Sequence, residues 1–247
     1  MPGAASLQSL AGNQTWLYDP IGRTDEDCLF LNVWTPDPSA RLPVIVWLHG
    51  GATRNGHGAA SAFDGTALAV LGRIVVVTIN YRLGALGGLA HPDLGDEETG
   101  YCANWGLQDK LAALAWVRAC IEAFGGDPGR ITLAGQSSGA ANAVMIAQSA
   151  AAPGLVTALI AQSPPLFQPP MFAELADAAD YTERFARGRG VAVANLRAID
   201  GRQLARAEQA FIRGGAFPRP RTAPVRDGAL IRESRAGRGS TPVGARS

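Results

Sequence analysis

The stretch that decides the fold is residues 131–146, which read Ile-Thr-Leu-Ala-Gly-Gln-Ser-Ser-Gly-Ala-Ala-Asn-Ala-Val-Met-Ile. A short apolar run leads into the pattern Gly-x-Ser-x-Gly, and a stretch of small residues follows it. This order predicts a strand, a sharp turn and a helix, which is the context of a nucleophile elbow. The pattern therefore predicts a reactive hydroxyl on Ser137 at the top of a sheet.

Steric crowding at the turn explains the two glycines of this pattern. A strained turn leaves no room for side chains where neighbouring elements crowd it. We therefore expect Gly135 and Gly139 to support the turn rather than to take part in chemistry.

The composition excludes several classes of protein. The 247 residues are 47% hydrophobic, which suits one α/β domain with a substantial core. The net charge of +1 gives no case for a nucleic-acid partner or a membrane surface, and no apolar run reaches the roughly 20 residues of a membrane span. The start of the chain lacks the features of a secretion signal, and the three cysteines have no metal-ligand spacing. We therefore expect a cytoplasmic protein with free thiols, whose oligomeric state the sequence leaves open.

Apolar runs alternate with helical stretches along the first two thirds of the chain. The runs at 44–48, 74–80, 131–134 and 158–162 are predicted strands, and residues 106–123 carry apolar positions at helical spacing. Strands that alternate with helices form parallel units with right-handed crossovers. The predicted fold class is therefore α/β, with a mainly parallel sheet and helices on both of its faces.

The character of the sequence changes after residue 170. Residues 171–188 and 191–212 read as polar-faced helices, and Pro, Gly and Arg dominate from residue 214 onward. We predict an N-terminal segment over residues 1–25, an α/β domain over 26–213 and a weakly ordered tail over 214–247.

Four further sequence motifs precede the elbow along the chain. They are Glu-Asp-Cys-Leu at 26–29, His-Gly-Gly-Ala at 49–52, Asn-Tyr-Arg-Leu-Gly at 80–84 and Asn-Trp-Gly-Leu-Gln-Asp at 104–109. Together with the elbow they closely resemble the type-B carboxylesterases, the α/β-hydrolase family that includes cholinesterases and bacterial para-nitrobenzyl esterases. The resemblance runs from residue 26 to about residue 163, with weaker matches to about residue 232.

This resemblance implies a function. It implies hydrolysis of a carboxylic ester of a small molecule through an acyl-enzyme on Ser137, with no metal and no organic cofactor. The donors that stabilise the oxyanion correspond to the backbone N–H groups of Gly51, Ala52 and Ser138. Ala52 stands where many relatives have glycine, so it would be strained if the loop required a positive φ.

The sequence offers no histidine at the position where this fold has its catalytic base. The resemblance implies that His49 and Gly50 support the oxyanion loop and do not react. In this fold the catalytic acid and the histidine follow the serine along the chain, whereas all three histidines here precede Ser137. His57, in the same glycine-rich loop, is the alternative as a surrogate base.

The family pattern also breaks off near the end of the sequence. Residues 224–230 resemble the element before the acid-bearing strand, and residues 241–244 resemble the opening of that strand. The resemblance also implies a longer segment before the Glu-Asp-Cys-Leu motif than the 25 residues found here. We therefore predict a chain shortened at both ends, with a sheet that is incomplete at its C-terminal strands and with little or no activity alone. The alternatives are a non-catalytic binding module of the same fold, or hydrolysis of a peptide or amide by the same serine.

Overall fold

The computed structural model describes residues 3–8, 21–149, 151–165, 172–214 and 224–231. The strands in these residues are β1 (Ala5–Ser6), β2 (Thr24–Asp25), β3 (Leu31–Trp34), β4 (Leu42–Leu48), β5 (Val75–Ile79), β6 (Gly126–Gln136), β7 (Ala158–Gln162), β8 (Ala173–Glu174) and β9 (Val225–Arg226). The α-helices are α1 (Thr66–Gly72), α2 (Gly84–Gly88), α3 (Trp105–Cys120), α4 (Ser138–Gln148), α5 (Leu175–Arg187) and α6 (Gly201–Arg213). Short 3₁₀ turns lie at Ser61–Phe63, Pro92–Leu94, Ile121–Phe124 and Val193–Ala198.

Five strands form the central sheet, in the order β3-β5-β4-β6-β7. Strands β5, β4, β6 and β7 run parallel to one another, and β3 runs antiparallel to β5. In the middle of the sheet, Val46 pairs with Val77 on one side and with Leu133 on the other. The mainly parallel α/β sheet predicted from the sequence is therefore confirmed, and the four predicted strands lie side by side in it.

One face of the sheet carries the main core. On β4 the side chains of Val44, Val46 and Leu48 are fully buried, and they alternate with residues that are less buried. They belong to one apolar cluster with Leu114 of α3 and Ile146 of α4. Burial of each such side chain contributes about 1.5–3 kcal/mol to folding, so this face fixes where α3 and α4 lie.

The opposite face of the sheet is covered by the segment that leads into α1. Trp47 alternates with Val46 and Leu48 on β4, and its ring lies 5.5 Å from the ring of Phe63. Helices and their flanking turns therefore pack on both faces of the sheet, as the sequence predicted.

Helices α5 and α6 form a second apolar cluster. Tyr181 and Phe185 are buried, and both rings meet Phe211 edge-on at 5.4 and 5.5 Å. The cluster includes Ala85 of α2, so it holds these two helices against the segment that follows β5. Among the described residues, no helix combines the length and the apolar character needed to cross a membrane.

The described part of the N-terminal segment packs on the domain. Asn80 donates a side-chain hydrogen bond to the carbonyl oxygen of Ala4 at 3.0 Å, and Leu83 N donates to Ser6 Oγ at 3.2 Å. The domain division at residue 25 stays a prediction.

Residues 224–231, which belong to the predicted tail, contact the domain. The side chain of Asn104 accepts from Val225 N at 2.7 Å and donates to Val225 O at 2.8 Å, and Leu230 and Ile231 are buried in the main core. A side chain that satisfies both backbone groups of one residue gives the segment 224–231 a fixed place. Residues 215–223 and 232–247 of the predicted tail lie outside the described residues.

Strand β7 is exposed at the edge of the sheet. Among the described residues it pairs with β6 alone, and the side chains of Leu159 and Ile160 are 39% and 42% exposed. An exposed apolar edge strand is a template for pairing with another chain.

We expect Ile160→Lys to reduce self-association, because a charged side chain on an edge strand disfavours edge-to-edge pairing. Light scattering and size-exclusion chromatography as a function of concentration measure the effect. Leu71→Lys is the matched control, because Leu71 is 86% exposed but lies on α1, away from the edge. Equal effects of the two substitutions would show that added charge, and not the edge, governs solubility.

Candidate active site

Ser137 occupies a strained turn between β6 and α4. Its backbone has φ 53° and ψ −124°, a conformation that residues other than glycine rarely adopt. Its N–H donates to the carbonyl oxygen of Gln162 on β7 at 2.9 Å, and its carbonyl oxygen accepts from Ala141 N at 3.0 Å. The sheet and the helix thus hold the strained residue from both sides, which is the geometry of a nucleophile elbow.

The flanking glycines lie where backbones cross. A Cβ atom on Gly135 would lie 2.6 Å from the carbonyl carbon of Gly139, and one on Gly139 would clash with the carbonyl oxygen of Leu48. Side chains at these positions would push α4 away from β4. Both glycines are therefore needed for the close crossing that presents Ser137.

The loop at residues 49–52 lies directly beside the elbow. A Cβ atom on Gly50 would lie 3.3 Å from Cβ of Ser137, and Thr53 N donates to Ser138 Oγ at 3.3 Å. The structure therefore brings Gly51, Ala52 and Ser138 to the side of the predicted nucleophile. The convergence of their three N–H groups on one oxyanion stays a prediction.

The loop turns sharply through residues with positive φ. Gly51 has φ 105° and Ala52 has φ 56°, and the carbonyl oxygen of Gly51 accepts from the N–H groups of Arg54 and Asn55 at 3.0 Å. The sequence predicted strain at Ala52 if the loop required a positive φ, and the loop does have one there.

His49 is buried and held on several sides. Its ring stacks on Tyr81 with centroids 4.3 Å apart, and its Nδ1 lies 2.8 Å from the carbonyl oxygen of Gly50. Burial lowers the pKa of His49 to about 3, and the charge of Lys110 also lowers it, so the ring is neutral. Because a carbonyl oxygen only accepts, Nδ1 carries the proton. These contacts are those of a residue that supports the loop.

His57 follows the loop at residues 49–52 along the chain. It is 9% exposed, and its neighbours are held firmly: Gly56 N donates to Gln8 Oε1 and Gly58 N to Asn80 Oδ1, both at 2.8 Å. Its role as a surrogate base stays a prediction.

Sequence reasoning missed Lys110 on α3. It is 2% exposed, and its Nζ lies 3.3 Å from the centroid of the Tyr81 ring and 2.8 Å from the carbonyl oxygen of Gly106. Burial lowers the pKa of Lys110 to about 7, and the neighbouring Asp109 opposes this shift. A signal was available in the sequence, because Lys110 falls between Leu107 and Leu114 on the apolar stripe of the helix.

Sequence reasoning also missed Glu208 on α6. Its Oε2 accepts from Ala85 N at 2.7 Å, and a Cβ atom on Gly84 would clash with this oxygen. Burial raises the pKa of Glu208, whereas the hydrogen bond from Ala85 and the charge of Arg54 lower it. The carboxyl group thus links α6 to the start of α2, and only the docking of the two helices could reveal this contact.

The fold and the elbow together define the class of the protein, which is an α/β-hydrolase. The chain belongs to the carboxylesterase family, whose family model matches residues 4–238. This match confirms the resemblance found in the sequence motifs.

Individual relatives agree with this assignment. The chain is 40% identical over 216 residues to the fumonisin B1 esterase of Sphingopyxis macrogoltabida, which covers 85% of this chain and 38% of that protein. It is 46% identical over 147 residues to the para-nitrobenzyl esterase of Bacillus subtilis (strain 168), with 59% and 29% coverage. A solved thermophilic para-nitrobenzyl esterase superposes with a TM-score of 0.83 at 32% identity, over 94% of this chain and 47% of that one. The chain thus spans less than half the length of each of these relatives.

We expect Ala52→Gly to raise the free energy of unfolding by about 0.5–1 kcal/mol. A left-handed backbone costs alanine about 1–2 kcal/mol, and glycine removes this strain. The greater conformational freedom of glycine in the unfolded chain offsets only part of the stability gained in this way. The same change at Ala60, where φ is −62°, should destabilise the protein. Urea unfolding of both variants measures the difference, and a loss of stability in Ala52→Gly would contradict the expected strain.

We expect Lys110→Met to stabilise the protein most at pH 7 and below. In the folded protein Lys110 loses its proton near pH 7, because its pKa is lowered to about 7. In the unfolded chain Lys110 has the ordinary pKa of 10.5 and therefore stays protonated to higher pH. Between these values the unfolded state binds more protons, so wild-type stability rises with pH by at most about 1.4 kcal/mol per pH unit. The advantage of Lys110→Met should therefore shrink between pH 7 and pH 9 in urea unfolding. A difference that is independent of pH would contradict the lowered pKa.

Proposed function

We propose that this chain carries the nucleophile and the oxyanion donors of a carboxylic-ester hydrolase that acts on a small-molecule ester. The observation that carries the proposal is the contact between the elbow and the loop, where a Cβ atom on Gly50 would lie 3.3 Å from Cβ of Ser137. A reacting carbonyl group placed on the hydroxyl of Ser137 would then have its oxygen beside the backbone of residues 50–52.

The proposed chemistry has two steps. Ser137 Oγ attacks the ester carbonyl carbon, the alcohol leaves, and the acyl group remains on the serine until water removes it. Negative charge develops on the carbonyl oxygen in both steps. Fixed N–H donors of Gly51, Ala52 and Ser138 would stabilise that charge without reorganisation, because the loop and the elbow hold their backbones in place.

The proton of Ser137 needs an acceptor. His49 suits this task poorly, because a base with a pKa of about 3 has little affinity for a proton near neutral pH. Removal of the histidine partner of a catalytic serine costs a factor on the order of 10⁶ in turnover in subtilisin. We therefore propose that this chain alone turns over slowly, with His57 as the alternative base within it.

The names of the relatives support an ester as the substrate. One is an esterase named for fumonisin B1, and the other is named for para-nitrobenzyl esters. Both names are those of esterases, and together with the carboxylesterase family match they support the class of substrate proposed here.

The proposed location is the cytoplasm, a reducing compartment. The three cysteines, Cys28, Cys102 and Cys120, are free in the structure. Burial raises the pKa of the Cys28 and Cys102 thiols, which favours the unreactive protonated form. Free, protonated thiols fit a compartment in which disulfides do not form.

The test of the proposed function is covalent labelling of Ser137. Wild type, Ser137→Ala and Ser149→Ala are each incubated with a fluorophosphonate, and adducts are located by mass spectrometry. We expect one slow adduct on Ser137, its loss in Ser137→Ala and its retention in Ser149→Ala, whose hydroxyl donates to the carbonyl oxygen of Ile146 at the end of α4. Equal labelling of Ser137→Ala and wild type would overturn the assignment of the nucleophile.

Turnover of para-nitrophenyl acetate tests the base. We expect the wild-type rate to lie within about tenfold of the Ser137→Ala rate, because an unassisted serine hydroxyl is a poor nucleophile. A much faster wild type whose activity disappears in His57→Ala would instead assign His57 as the base.

A further inference from the structure

We propose that Lys110, the only lysine in the chain, is a positioning residue for the loop at residues 49–52. Its ammonium group lies on the face of Tyr81 and fixes a stack of rings that orients His49 and, through it, the backbone of Gly50. The catalytic consequence rests on the proposed function, whereas the effect on the loop does not.

The first contact of this stack joins α3 to the end of β5. Lys110 Nζ lies 3.3 Å from the centroid of the Tyr81 ring, and both residues are 2% exposed. A cation on an aromatic face interacts most strongly when both are removed from water. A second N–H of the ammonium group donates to the carbonyl oxygen of Gly106, one turn earlier on the same helix. The charge is therefore fixed over the ring by two independent contacts.

The second contact joins Tyr81 to His49. The two rings are nearly parallel, with an angle of 8° and centroids 4.3 Å apart, and Tyr81 Oη donates to the carbonyl oxygen of His49 at 2.6 Å. A ring stacked this closely leaves no room for Lys110 Nζ on the same face. The ammonium group therefore occupies the opposite face of Tyr81, and the aromatic ring lies between the cation and His49.

The third contact joins His49 to both ends of the loop. Its Nδ1–H donates to the carbonyl oxygen of Gly50 at 2.8 Å, and a Cβ atom on Gly56 would clash with this nitrogen. Gly50 and Gly56 thus both rest on one imidazole ring. A shift of that ring would move the segment between them, which includes Gly51 and Ala52.

A small cavity lies at the same junction. It has a volume of about 20 Å³, room for one water molecule, and Lys110, Thr53 and Asn142 are among its lining residues. Asn142 donates a side-chain hydrogen bond to the carbonyl oxygen of Ser138 at 2.6 Å, and Thr53 N donates to Ser138 Oγ. Lys110 therefore borders groups that hold both the loop and the start of α4.

A purely structural role for Lys110 makes a different prediction from a positioning role. If its side chain only filled space, Lys110→Met would raise overall stability and leave the loop unchanged. If its charge orients the stack, the same substitution raises overall stability but loosens the loop. The two roles are therefore separated by measurements on residues 50–56.

Hydrogen exchange at pH 6 tests the proposal directly. We expect amides of residues 50–56 to exchange about tenfold faster in Lys110→Met than in wild type, because a desolvated cation–π contact is lost. Leu114→Met is the matched control, because it also places methionine on the buried stripe of α3 but has no part in the stack. Unchanged exchange of residues 50–56 in Lys110→Met would overturn the proposal.

Wild-type protein gives a second test that needs no substitution. Because Lys110 is the only lysine, labelling with lysine enriched in ¹³C at Cε alone yields one Cε–Hε signal. Its protons are expected upfield of their position in the unfolded chain, because Nζ lies 3.3 Å from the centroid of the Tyr81 ring. Around Lys110, Asp109 is paired with Arg82 at 2.7 Å, and the titratable rings are Tyr81 and, stacked on it, His49. We expect the loop exchange, corrected for pH, to change with the same midpoint as the lysine signal. An unshifted lysine signal, or a loop that does not follow it, would contradict the proposal.

Covalent labelling of Ser137 tests the catalytic consequence. With the fluorophosphonate, the maximal rate of adduct formation on Ser137 should be about tenfold lower in Lys110→Met than in wild type, with no change in the reagent concentration that gives half of that rate, because oxyanion donors act mainly in the transition state. Equal labelling of wild type and Ser137→Ala would overturn the proposed function, and the exchange measurements would still decide the role of Lys110. An unchanged labelling rate of Ser137 in Lys110→Met would overturn the catalytic part of the proposal.

Discussion

The structure depends on one close crossing, at which α4 passes over the end of β4 with only glycine between the two backbones. Gly139 lies against the carbonyl oxygen of Leu48, and Gly135 against Gly139 itself. This crossing sets the height of Ser137 above the sheet and brings the loop after β4 to its side. It also explains why the loop at residues 49–52 and the nucleophile, which lie about 85 residues apart in sequence, share one site.

Strain in this site is balanced by ordinary secondary structure around it. Ser137 and Ala52 both have a positive φ, which residues other than glycine adopt at some cost. At Ser137 two hydrogen bonds offset the strain: its N–H donates to β7, and its carbonyl oxygen accepts from the first turn of α4. The loop at Ala52 is held by a tight turn closed on Gly51, by the contact of Thr53 N with Ser138, and by Gly84 N, which donates to the carbonyl oxygen of Thr53 at 2.9 Å. This half of the site is therefore held by loop contacts and not by a strand and a helix.

Buried charges occupy the positions where helices meet this half of the site. Lys110 lies on the ring of Tyr81, which stacks on His49. Glu208 of α6 accepts from the N–H of Ala85, and the neighbouring Gly84 N donates to the carbonyl oxygen of Thr53. Each charged group loses favourable hydration in the core, and burial shifts both pKa values toward the neutral forms. A core selected for stability alone would place apolar side chains there. The presence of the charged Lys110 and Glu208 at these positions fits a role in orienting the loop.

The sequence by itself determined the strands of the parallel sheet, the elbow at Ser137 and the glycines beside it. These features follow from local patterns, since a buried strand requires an apolar run and a tight crossing requires glycine. Only the tertiary structure decided the order of the strands, the placement of residues 224–231 in the core and the stack of Lys110, Tyr81 and His49. The members of that stack come from α3 and from the ends of two different strands. Their contacts exist only after the sheet has formed and α3 has packed on it, so no local pattern encodes them.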